Sequence, residues 1–153
     1  MSRFLSFAIV LTITSLALAD EPRNGNDGGA PDALIGGYTI VSGERYGEKI
    51  PAERIEGVTV RIARDGIVVL DKAKKEVYAQ TYTIDTKAKP WKITMTSKIT
   101  PFTKGKEEHV AKGLIEKSGE TVRLIYALPG GETPTQFKTT EKQLMFEMKP
   151  MTR

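Results

Sequence analysis

From Leu34 onward, apolar residues recur at every second position rather than every third or fourth. That period describes half-buried strands. In the first run Tyr38, Ile40 and Ser42 are expected on one face and Thr39, Val41 and Gly43 on the other. Val58, Val60 and Ile62 alternate with Thr59, Arg61 and Ala63. Arg64-Asp65-Gly66 then supplies Asp-Gly hairpin chemistry before Ile67 to Leu70 returns. Val77 to Asp85 carries Tyr78, Tyr82 and Ile84 on one face. After Pro90, the residues Trp91, Ile93 and Met95 alternate with Lys92, Thr94 and Thr96. Val110 to Glu116 is another short strand, and Val122, Leu124 and Tyr126 alternate with Arg123, Ile125 and Ala127. Gln143 to Lys149 closes the chain, with Leu144, Phe146 and Met148 facing one way and Met145, Glu147 and Lys149 the other.

Turns fall at Arg45 to Glu48, Asp71 to Glu76 and Lys117 to Gly119, and in the "LPGGETP" stretch. Lys98 to Glu108 is a longer loop, and Pro51 to Ile55 is helical for one turn at most. About eight short strands at regular spacing predict an all-β fold. Consecutive hairpins favour an antiparallel up-and-down barrel, which removes exposed edges by closing.

The start of the chain reads differently. Met1-Ser2-Arg3 is a short positive segment, Phe4 to Leu18 is mostly apolar, and Ala17-Leu18-Ala19 is a small-x-small cleavage site. This is the pattern of a secretory signal peptide over residues 1–19. The apolar run is shorter than the roughly 18–20 residues of a spanning helix, so no transmembrane segment is expected in the mature chain. Residues 20–33, which begin "DEPRNGNDGGAPD", lack apolar periodicity and read as a disordered leader. The barrel domain is expected over residues 34–153, in the periplasm or outside the cell.

Removal of the signal deletes Arg3 and lowers the formal charge from +4 to +3. The remaining charges are interspersed, as on a soluble surface, with no clustered basic face for nucleic acid. Cysteine is absent, so stability rests on the core alone. A chain of about 130 residues buries enough surface for that.

No catalytic set assembles from these residues. His109 is the single histidine and is expected as a solvated loop residue, short of the three or four ligands a metal needs. Ser42, Ser97 and Ser118 have no base nearby in sequence, and Glu44, Asp85, Glu116 and Glu120 read as ordinary turn and strand-end acids. Gly36-Gly37 precedes a strand, whereas a phosphate loop follows one. It suits close backbone approach at a barrel end. The lysines at 72, 74 and 75 and at 87, 89 and 92 read as a solvated rim. A non-enzymatic protein without metal or cofactor is therefore expected.

The aromatic face is more informative. Tyr38, Tyr78, Tyr82, Trp91 and Tyr126 all share a strand face with aliphatics. An eight-stranded interior is only just wide enough for side chains to fill, yet some such barrels hold a ligand. A packed core and a lined cavity both remain open. The ligand-lining candidates are Tyr82, Trp91, Ile93, Met95, Leu124 and Tyr126, with Tyr126 as the polar contact.

Several motifs in order extend this picture. Leu34-Ile35-Gly36-Gly37-Tyr38 runs into Val41-Ser42-Gly43-Glu44, Gly47 and Pro51. Tyr82, Ile84, Asp85 and Pro90 follow, then Gly113, Gly119 and Leu124, then Pro129-Gly130-Gly131, Pro134 and Phe137. In order and spacing the chain resembles an uncharacterised lipocalin-like domain family abundant in planctomycete bacteria, over nearly the whole mature domain. The resemblance implies a secreted lipocalin-like barrel. In lipocalins a Trp after the glycine plugs the closed end beneath a basic side chain. Here Gly36 and Tyr38 stand at that plug, with Lys149 and Arg153 as candidate bases. The family's "GIYELDGD" stretch is Gly113 to Glu120 in this chain, and Ile125-Tyr126 replaces its "LxLC" cysteine.

The leading expectation is an exported barrel that binds a small apolar ligand. The alternative is an envelope interaction or structural protein with a filled barrel, acting through the loops Lys98–Glu108 and Leu128–Thr140. Its protein partner is not specified by the sequence. Export has a direct test. Ala17 and Ala19 place small residues where signal peptidase reads them, so N-terminal sequencing of exported material is expected to begin at Asp20. Envelope material that still begins at Met1 would overturn the cleavage site.

Overall fold

The computed structural model describes residues 31–99 and 108–152. The expected signal segment, residues 20–30 of the leader, Arg153 and most of the loop after Lys98 lie outside them.

Asp32–Leu34 makes one turn of 3-10 helix and leads into β1 (Gly36–Arg45). There follow β2 (Glu48–Lys49), the single-turn α1 (Ala52–Ile55), β3 (Thr59–Ile62), β4 (Gly66–Leu70) and β5 (Glu76–Asp85). The rest are β6 (Trp91–Ile99), β7 (His109–Ser118), β8 (Thr121–Ala127) and β9 (Gln143–Pro150). All lie in one sheet, ordered β2-β1-β3-β4-β5-β6-β7-β8-β9, and β1 also pairs with β9. Every pairing is antiparallel. The two-residue β2 is an appendage on the end of β1. The other eight strands form a closed up-and-down barrel, as the alternating pattern predicts.

The end at which β1 begins is solid. Leu34 is fully buried there, and Tyr38 is 3% exposed. The Tyr38 hydroxyl donates to the Leu34 carbonyl oxygen at 2.8 Å, which ties the 3-10 turn across the barrel floor. Burial raises the pKa of this phenol above its usual value. Ile62, Ile93, Ile115 and Val122 fill the space above it and are all buried. Gly36 opens β1 at this level, opposite Ile62. Neither expected covering base sits over Tyr38 in the described residues. Lys149 is exposed on the outer face, and Arg153 lies outside them.

Two expected alternations change. In β1 the period of two holds only to Ile40. Its pairing with β9 sets Ile40 opposite Met148 and then Ser42 opposite Glu147, which leaves Val41 as the extra residue of a β-bulge. Ser42 therefore leaves the face of Tyr38 and Ile40, and its hydroxyl donates to the Glu147 carboxylate at 3.1 Å. Gly43 turns inward instead. A Cβ there would lie 2.9 Å from Ile50 Cδ1 and 3.1 Å from the Phe146 ring, so the missing side chain is what admits both.

On β7 and β8 the outward positions are buried as well. Leu114 and Ile125 face each other across the ladder, outside the barrel, at 5% and 0% exposure. The connection from β8 to β9, residues 128–142, folds back over this face. Phe137 stacks 4.6 Å from the Arg123 guanidinium, which also pairs with Glu116.

The floor yields a stability test. Tyr38→Ala is expected to cost about 3–5 kcal/mol, as truncation of a buried aromatic does. Tyr38→Phe, which removes only the hydroxyl, is expected to cost about 1 kcal/mol. Urea midpoints measure both. Equal costs for the two variants would remove ring packing from the account of the floor.

Candidate functional site

Above the solid floor the inward residues become short. Val60, Val69, Ser97 and Ala111 border the interior at this height. The result is a cavity of about 270 Å³. Ile40, Val60, Ile67, Leu124, Phe146 and Met148 supply apolar wall, and Leu128 and Pro129 border it where the connection to β9 leaves β8. At about 30 Å³ per water, the space equals about nine waters, or a molecule of about ten heavy atoms.

The polar groups in this space are few. Tyr78, Tyr126, Gln80 and Ser97 reach it from the walls, and Arg45 and His109 stand at the strand ends around its mouth. Desolvation raises the Tyr126 phenol far above its usual pKa, and the neighbouring Tyr78 adds to the shift. Tyr126 thus stays protonated and remains a hydrogen-bond donor at physiological pH. Neither tyrosine hydroxyl has a hydrogen-bonding partner among the described residues. Gln80 Nε2 donates to Met95 Sδ at 3.2 Å. No aspartate or glutamate lines the cavity among the described residues.

The register of the ladders places these groups. Arg45 is opposite Leu144, and Leu144 is opposite Tyr126. Gly113 sits beside Tyr126 on the next strand. A Cβ on Gly113 would lie 1.9 Å from the Ile125 carbonyl oxygen, so only glycine lets β8 approach β7 there. That close approach sets the position from which Tyr126 projects.

The segment over the outer face is latched beside the mouth. The Thr139 N–H donates to Glu44 Oε1 at 2.9 Å, and the Thr139 hydroxyl donates to the same oxygen. The Gly47 N–H donates in turn to Thr139 Oγ1 at 2.8 Å. Gln143 adds two links: it accepts from the Thr140 N–H at 2.8 Å, and its amide donates to the Glu132 carbonyl oxygen at 2.9 Å. The Thr139 hydroxyl and then its N–H hold the Glu44 carboxyl below its ordinary pKa, against the opposing effect of burial and with a lesser contribution from nearby Lys138. Glu44 is thus a latch residue rather than an ordinary strand-end acid.

The residues expected to line one interior space divide between two heights. Leu124 and Tyr126 line the cavity. Ile93 and Met95 are buried in the packed part, each 1% exposed. Tyr82 is buried beside them, with its hydroxyl donating to the Ala63 carbonyl oxygen. Trp91 is half-buried at the lower rim, with the Lys89 ammonium 5.6 Å from its ring and Pro90, Glu116 and Lys117 around it. Trp91, Ile93 and Met95 share a face but not a level, because four residues of strand climb about 13 Å. His109 is not a loop residue: it opens β7 opposite Ser97 and borders the cavity. Arg45, Tyr78, Gln80 and Ser97 were not among the expected lining residues. The signal that could have found this level is the set of short residues at inward positions.

Two further features bear on chemistry. Among the described residues no three histidine, aspartate or glutamate side chains come together to hold a metal. An open trough of about 530 Å³ runs along β4 and β5 past Val68, Val77, Ala79 and Thr81, but it lies on the outer surface and encloses nothing. Comparison with protein-family models, with curated proteins and with solved structures finds no match to this chain.

The latch makes a pH prediction. The folded-state pKa of Glu44 is depressed below 4.5, so its contribution to stability is full above that value and is lost as pH falls through the folded pKa. The gap in urea midpoint between wild type and Glu44→Gln is expected to be full at neutral pH and to shrink as pH falls below 4.5 and through that depressed pKa. A gap that stays constant over this range would remove the carboxylate from the latch.

Proposed function

We propose that this chain is an exported, non-enzymatic, lipocalin-like barrel that carries a small, largely apolar molecule in the upper half of its interior. The cavity above the packed floor carries this reading: about 270 Å³, walled by aliphatic and aromatic side chains and fringed by a few polar groups. Small-molecule sites have this make-up, with apolar lining for affinity and sparse polar groups for orientation. The cavity is near the lower end of the usual size range, so the cargo is compact. The motif resemblance to lipocalin-like domains points the same way.

Naphthalene, a neutral molecule of ten carbons, matches the space and tests the reading. Its fluorescence is expected to change saturably, one molecule per chain, on titration with the protein. Leu124→Trp fills the cavity and is expected to weaken binding at least about tenfold, the loss of about 1.4 kcal/mol. Trp91→Phe is expected to leave binding unchanged, since Trp91 lies at the lower rim. Urea midpoints confirm that each variant folds. Absence of saturable binding by naphthalene and by envelope lipid extracts would overturn the carrier reading and leave the loops as the working surface.

A further inference from the structure

Arg45 is an unusual residue to find at the mouth of an apolar cavity. It lies beyond the β1 bulge, on the inner face, opposite the cavity-lining Leu144. It has no carboxylate partner: the salt bridges among the described residues are Arg64–Asp32, Lys72–Glu56 and Arg123–Glu116. Its guanidinium is instead steadied by Tyr46, stacking 4.6 Å from the ring and donating to the hydroxyl at 3.0 Å. A guanidinium has five N–H donors in a planar fork, so most remain free.

The ladder then brings a second donor to the same wall. Arg45, Leu144 and Tyr126 are successive partners across β1, β9 and β8. Two strand spacings separate Arg45 from Tyr126, about 9–10 Å between backbones. Both side chains are long and both border the cavity, with Arg45 exposed at its mouth, so the two mark the polar end of the space. Tyr78 approaches Tyr126 from β5 and brings a third donor. His109 also borders the cavity at this end. With no acid among the described lining residues, the polar end of this cavity offers donors and a positive charge, and its other walls offer hydrocarbon.

We infer that the cargo is a monocarboxylic acid with a compact apolar body, its carboxylate held between the Arg45 guanidinium and the Tyr126 hydroxyl. This rests on the carrier reading and narrows it. A guanidinium pairs two parallel N–H bonds with a carboxylate, a geometry that favours this head group over an alcohol or a hydrocarbon. The apolar body then packs against Ile40, Leu124 and Phe146 below. Arg45 and Tyr126 act as binding residues for the head group, with Tyr46 as a positioning residue for the guanidinium.

Isothermal titration with octanoate and with 1-octanol separates head group from tail, because both molecules have eight carbons. Octanoate is expected to bind at least about tenfold more tightly, a difference of about 1.4 kcal/mol. Arg45→Gln is expected to erase that preference while octanol and naphthalene still bind, and Arg45→Lys to restore part of it. Tyr126→Phe is expected to reduce the preference by a smaller factor. If octanol binds as tightly as octanoate, or if Arg45→Gln leaves the preference intact, the carboxylate assignment fails while the carrier reading stands. If naphthalene binds and neither octyl compound does, the assignment fails in the same way. If none of the three binds, both fail.

Discussion

The pairing of β1 with β9 is the constraint on which the rest of the structure depends. It joins the first and last strands of the chain and turns an open sheet into a cylinder of eight strands. A cylinder of that size has an interior about as wide as the side chains that point into it. The volume of the inward residues at each height then decides whether that height is solid or hollow. Leu34, Tyr38, Ile62 and Ile115 are large and meet at the floor. Val60, Val69, Ser97 and Ala111 are smaller and border the gap higher up. One wall thus encloses a packed core and a cavity, and neither needs a change of backbone architecture.

The inward tyrosines divide along the same line. Tyr38 and Tyr82 both spend their hydroxyls on backbone carbonyls, at Leu34 and Ala63. A buried hydroxyl without such a bond would be costly, so these two are structural. Tyr78 and Tyr126 stand at the cavity, where the hydroxyl has space in front of it. The same residue type is thus a component of packing at one height and of the cavity wall at another.

The segment from residue 128 to 142 links the outside of the barrel to its mouth. It covers the outward Leu114 and Ile125, stacks Phe137 on Arg123, and contributes Leu128 and Pro129 to the cavity border. Its attachment runs through Glu44 and Thr139, one residue before Arg45 on β1. Release of the latch would therefore loosen the outer cover and the mouth together. The β1 bulge underlies this arrangement, because the extra residue at Val41 is what turns Glu44 outward to the segment and Arg45 inward to the cavity.

The sequence by itself determined the architecture. Period-two alternation, Asp65-Gly66 chemistry and turn-length connections specify strands and hairpins through local backbone preference, and local preference is written in neighbouring residues. It also placed Leu124 and Tyr126 on the interior face, since a strand's faces follow from counting. Three things were decided only by the tertiary structure. The bulge at Val41 exists because β1 must match β9, a partner about a hundred residues away. The height of Trp91, Ile93 and Met95 in the barrel depends on how seven other strands are staggered, so a shared face did not make a shared space. The burial of Ile125 and the latch at Glu44 depend on a segment folding back from elsewhere in the chain. Alternation reports which way a side chain points, and only closure of the barrel fixes what stands opposite it.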